Sequence, residues 1–134
     1  MAGSKSDFLE LELLDHVLGA AVYTAPATVY VALYTAAPTD AGGGTEVTGG
    51  SYVRLSVTNN ATNWPASSGG AKANGTEFTF VTATANWGTV VAFGILDAVS
   101  AGNLLYWGDL AVSKAVNSGD TAKFPIGDID ITED

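Results

Sequence analysis

Few residues in this chain are equipped for chemistry, and they are scattered. His16 is the only histidine. It follows Asp15, but neighbours on a helix point in different directions, so the two do not form a dyad. A general base needs an orienting partner and a cleft, and a structural or surface role is expected for His16 instead. A serine nucleophile would need that base and a GxSxG turn, and the sequence has no such turn. Asp128 and Asp130, two apart in a strand-like run, share one face, with Glu133 and Asp134 close behind. Such a pair could hold a hard cation such as calcium, or act as the acid and base of a small carbohydrate-active enzyme. The run lacks the further ligands of an EF-hand loop, and Ile129 and Ile131 alternate cleanly with the two aspartates, so a solvated strand face is the expectation.

The remaining chemical signals are weaker. Gly42 to Gly44 lead into Thr45 and Glu46 without a lysine, so the run matches no phosphate-binding loop and reads as loop flexibility. Asn60-Ala61-Thr62 and Asn74-Gly75-Thr76 satisfy the glycosylation sequon, which matters only in a secreted chain. Cysteine is absent, excluding disulfides, thiolate catalysis and cysteine zinc sites. No enzymatic activity, cofactor or metal is expected. Of the three tryptophans, Trp87 and Trp107 lie at or within apolar strands, where burial in a core or interface is expected. Trp64 stands in a polar loop before Pro65; it either packs that loop onto the body or fills a pocket on another subunit.

The elements that must position these residues follow from periodicity. Phe8, Leu9, Leu13, Leu14, Val17 and Leu18 recur at helical spacing, with Leu11 widening the stripe, and predict a helix over 7–18. Ser6 caps it, Asp7 and Glu10 suit the positive end of its dipole, and Gly19 stops it. A helix this short is marginal alone and must dock on its own domain or on a neighbour. After Pro26 the period becomes two. Strands are predicted over 28–35, 51–57, 76–81, 88–96, 103–110 and 122–132, with Pro125 marking an edge or a late start. The stretches 36–50 and 58–75 read as long loops, of the kind that carry function or are covered by a partner. The fold class expected is all-β: an antiparallel, jelly-roll-like sandwich with one short N-terminal helix. It divides into a helical arm, 1–19, and a single β-sandwich domain, 20–134.

Composition limits the partners. The chain has 134 residues, 47% of them hydrophobic, which suffices for one core, and 5 Lys+Arg against 14 Asp+Glu give a net charge of −9. Nucleic-acid binding needs a basic face and is not expected. No window approaches the roughly 20 apolar residues of a membrane span, and Asp7, Glu10, Glu12 and Asp15 break any signal-peptide core. The expectation is a chain used as written, soluble and made in a cytoplasm, with no membrane partner.

Ordered phrases carry a further signal. The runs YVALYTAAPTDAGGGTEVTGGSYVR (30–54), ATANWGTVVAFGILDAVSAGNLLYWGDL (83–110) and VNSGDTAKFPIGDIDIT (116–132), with the opening FLELELLDHVLG (8–19), resemble a family of small tailed-bacteriophage virion proteins. Its members are labelled tail fiber or minor structural proteins, and others look like capsid cement or decoration proteins. The resemblance implies a jelly-roll-like module that works by incorporation into a particle and brings no catalytic residue. A decoration protein is expected: a dimer or trimer that binds the major capsid protein on the outer capsid surface, where its negative charge keeps clear of packaged DNA. The contacts expected are Thr39, Asp40, Thr45, Glu46, Trp64 and Pro65 on the loops, and Phe8, Leu9 and Leu13 on the helix laid over a neighbour. The alternative is a tail-associated fiber or adhesion module binding host glycan or surface protein through loops and aromatics.

Overall fold

The run TVYVALYTA forms the central strand of the computed structural model, which describes residues 2–133. β-branched and aromatic residues alternate along it, so both faces can be covered. Val29, Val31 and Leu33 enter the main core, while Ala32 and Tyr34 pack on the opposite side with Ala92, Leu96 and Leu104.

The elements in chain order are β1 (Ala2–Lys5), α1 (Asp7–Val17), β2 (Thr28–Ala36), β3 (Thr45–Glu46), β4 (Leu55–Thr58), β5 (Ala71–Ala73), β6 (Phe78–Thr79), β7 (Gly88–Leu96), β8 (Leu104–Val116), β9 (Lys123–Phe124) and β10 (Asp130–Thr132). One large sheet runs β3-β2-β7-β8-β1-β10-β5, and β4 also pairs with β2. β6 and β9 form a separate two-stranded sheet. It closes over the large one where the Phe124 ring meets those of Phe93 and Phe80 edge-on, each at 6.1 Å. The fold is an all-β sandwich with one short helix. Its pairing is mixed rather than wholly antiparallel, because β1 runs parallel to β10.

Two expectations are corrected here. Residues 1–19 were expected as a separate arm, but β1 is an inner strand, bonded on one side to β8 and on the other to β10. Gly3 permits this: a Cβ there would lie 2.8 Å from Ile131 Cδ1 and 2.9 Å from the Trp107 carbonyl oxygen. Ser6 then caps α1 by accepting from Leu9 N, while its own hydroxyl donates to the Leu104 carbonyl. The helix is therefore stitched to β8 at its first turn.

The second correction concerns the stretches 36–50 and 58–75, expected as loops throughout, each of which contributes a short strand to the sheet. In 36–50, Thr39 and Gly42 exchange backbone hydrogen bonds at 2.9 and 2.8 Å. β3 then pairs with the end of β2. In 58–75, the Asn60 side chain accepts from Thr62 N and Asn63 N, and β5 joins the sheet edge beside β10. The strand predicted over 122–132 splits at Pro125, where a turn bonds Asp128 N to the Pro125 carbonyl.

Candidate functional site

Helical geometry sends the side chains of α1 in two directions. Leu9, 3% exposed, enters the core, and Phe8 and Leu13 pack half-buried against it. These three were expected to face a neighbour, but they face inward. The outward side is also apolar: Leu11, Leu14 and Leu18, spaced three and four apart, form one stripe that is 63%, 56% and 77% exposed. Val17 and Val22, on the same stretch of chain, are exposed as well. Among the described residues, half of the ten large exposed hydrophobic residues therefore fall within one short segment rather than being scattered singly. Asp7, Glu10 and Asp15 rim this stripe.

The inner side of the same helix forms one wall of a cleft of about 680 Å³. Leu9, Leu13, Tyr23, Trp64, Tyr106 and Lys72 line it, with Ala66 and Ser67 at its exposed loop edge. Burial, then the charges of Asp97 and Glu12, push the Tyr23 phenol up from its ordinary range. Burial, then Glu133, does the same to Tyr106. Both phenols stay neutral donors at any ordinary pH. The Lys72 ammonium donates to the Trp64 and Pro65 carbonyls at 3.2 and 2.9 Å, and it makes no ion pair among the described residues. It is a cation held at the cleft by backbone dipoles alone.

Of the expected loop contacts, Trp64 is 8% exposed and meets Phe78 edge-on at 5.3 Å, packing its loop onto its own body. Pro65 lies exposed beside it. Thr39 closes its own turn, its hydroxyl donating to the Gly42 carbonyl at 3.1 Å. Asp40 accepts from Trp107 Nε1 at 2.9 Å through its carboxylate and from Asp7 N at 2.8 Å through its carbonyl. Thr45 is exposed, and its carbonyl accepts from the Thr35 hydroxyl at 3.4 Å. Glu46 is committed internally: it takes two hydrogen bonds from Arg54 and one from Tyr52. Burial raises its pKa, but those bonds and the Arg54 charge outweigh burial and hold the carboxyl below the usual carboxylate range. The structure thus brings Leu9, Leu13 and Trp64 together around the cleft, and places Thr39, Asp40, Thr45 and Glu46 on a different loop.

The candidates for chemistry do not converge. Asp128 sits in the turn before β10 and lines a second cleft beside β8, which Asp130 does not reach. Asp134 lies outside the described residues. No group of three or more potential metal ligands occurs among the described residues. His16 Nδ1 lies 3.2 Å from both Tyr23 N and the Ala21 carbonyl, ordering the chain just past the helix. Asn74, in the second sequon, is 2% exposed with its amide fully engaged, so no glycan can reach it. Trp87, 4% exposed, donates to the Gly50 carbonyl at 2.9 Å and offers no face for stacking on a sugar.

Sequence periodicity alone missed the outward stripe, since six apolar positions on an eleven-residue helix, with Leu18 at its C-cap, cover more than one face. That excess was the available signal.

A family described as podophage GP4 fiber I protein gp80 matches residues 4–132. No curated protein matches the chain. With nearly its whole length covered, the chain belongs to this family of bacteriophage virion structural proteins.

Proposed function

We propose that the chain is a non-enzymatic, fiber-type component of the phage particle that works through protein–protein contact. The observation that carries this reading is the apolar stripe Leu11, Leu14 and Leu18 on the outside of α1, rimmed by carboxylates. A solvent-facing surface of that kind is costly in an isolated protein and suits one that is covered after assembly. The family's description as a fiber protein agrees with it.

Capsid decoration, with an oligomer of the chain bound to the major capsid protein on the outer shell, is the second reading. The net charge of −9 favours it, because an acidic protein is repelled by packaged DNA and suits the exterior. Both readings use surface contacts and no active site, and they differ in where the protein sits.

Cryo-electron microscopy of purified particles, or gold-labelled antibody against the recombinant chain, tests them together. Signal confined to fibers or tail supports the first reading. Signal at regular positions over the head supports decoration. Particles without signal overturn both.

A further inference from the structure

We infer that copies of this chain associate head to tail, the outer stripe of α1 on one copy seating in the cleft behind α1 on the next. Three observations support this. The first is that the stripe and the cleft are both apolar and both unfilled within the molecule. The second is geometric. The inner side of α1, through Leu9 and Leu13, is a wall of the cleft, so its outer side points away and cannot reach the cleft of its own molecule. Only another copy can bring the two together.

The third is charge. Asp7, Glu10 and Asp15 flank the stripe, whereas the cleft carries Lys72, whose ammonium has only backbone carbonyls as partners among the described residues, and Glu133, whose carboxylate is already paired with Lys5. Pairing two stripes face to face would set carboxylates against carboxylates in a protein already at −9. Seating a stripe in a cleft sets them near Lys72 instead. The occupant assigned to the cleft is therefore a second copy. The contact is heterologous: it closes into a ring if the rotation allows and otherwise continues as a filament. This deepens the proposed function by naming the surfaces, but it is tested on the isolated protein, so its failure leaves the question of location on the particle untouched.

Two exposed double variants separate the halves of the contact. Leu14→Glu with Leu18→Glu spoils the stripe, and Ala66→Glu with Ser67→Glu adds acid to the loop edge of the cleft. Light scattering after size exclusion is expected to show the wild type as an oligomer. Each variant alone should be monomeric, its self-affinity weakened roughly a hundredfold or more. An equal mixture should recover a two-copy complex, because the intact stripe of one variant meets the intact cleft of the other. A monomeric wild type, variants that still assemble, or a mixture that stays monomeric each overturns the proposal.

Crosslinking provides a check independent of how well the acidic variants fold. The chain has no cysteine, so Leu18→Cys on one population and Ala66→Cys on another introduce one thiol each. Oxidation of the mixture is expected to give mainly the mixed dimer. Mixed dimer no more abundant than the two same-variant dimers contradicts a head-to-tail contact.

Discussion

Arg54 grips Glu46 through both carboxylate oxygens, Nε to Oε2 at 2.9 Å and Nη2 to Oε1 at 2.8 Å. The same guanidinium donates through Nη1 to the carbonyls of Ala98 and Ala101, each at 2.8 Å. One side chain therefore ties β3, the approach to β4 and the turn after β7. Planar fork geometry makes this possible, and an ammonium could not reproduce it.

Arg54→Ala is expected to cost about 2 kcal/mol, between the exposed and fully buried cases for an ion pair. That corresponds to a fall in Tm of roughly 6–10 °C in a domain of this size. Arg54→Lys should recover less than half of it. Calorimetry of the three proteins checks both statements, and a lysine variant as stable as wild type would remove the role of the fork.

Acid should weaken the same clamp. The folded pKa of Glu46 lies below its unfolded value, so its contribution to stability is fully present above the unfolded value of about 4.3 and is lost as pH falls through the folded one. Tm should therefore drop more steeply below about pH 4 in the wild type than in Glu46→Gln. Tyr52 acts in the opposite direction. Burial and the hydrogen bond to Glu46 push its phenol up, despite the bond that Leu33 N donates to its oxygen. Its contribution is complete below about pH 10 and declines above it. Thermal melts across pH for wild type, Glu46→Gln and Tyr52→Phe resolve the two limbs; parallel acid limbs in wild type and Glu46→Gln would assign the acid loss to other carboxylates.

The clamp also shows what a single sequence does and does not reveal. β2 and β7 were legible almost residue for residue, since alternating β-branched and aromatic residues define buried strands locally. β3 and β5 are two and three residues long, and β1 reads AGSK without one large apolar side chain. Their strand character comes from the neighbours they pair with, which no local pattern reports. Glu46 and Arg54 read as a loop acid and a strand base eight residues apart, and only the pairing of both β3 and β4 with β2 brings them together.

Asn74 is expected to be a point of high sensitivity. Its amide nitrogen donates to the Thr76 and Pro125 carbonyls at 2.8 and 2.9 Å, and its oxygen accepts from Ile129 N at 2.9 Å. Asn74→Ala would strand three buried backbone groups and should cost about 2–3 kcal/mol. Urea unfolding measures it, and a loss below about 0.5 kcal/mol would mean that water replaces the amide.

The N-terminal segment tests the integration of β1. Removal of residues 1–19 leaves β10 and β5 without their link to β8, so cooperative unfolding should vanish. Gly3→Val should approach the same result by steric conflict with Ile131 and the Trp107 backbone. A truncated chain that keeps its far-UV β signal and a sharp melt would restore the view of this segment as a detachable arm.

The most direct test of the central claim, that the chain is a structural part of the particle, is its copy number in gradient-purified virions by quantitative mass spectrometry. The expected result is a fixed, multi-copy ratio to the major capsid protein that survives repeated banding. A chain left in the soluble fraction, absent from infectious particles, would contradict it.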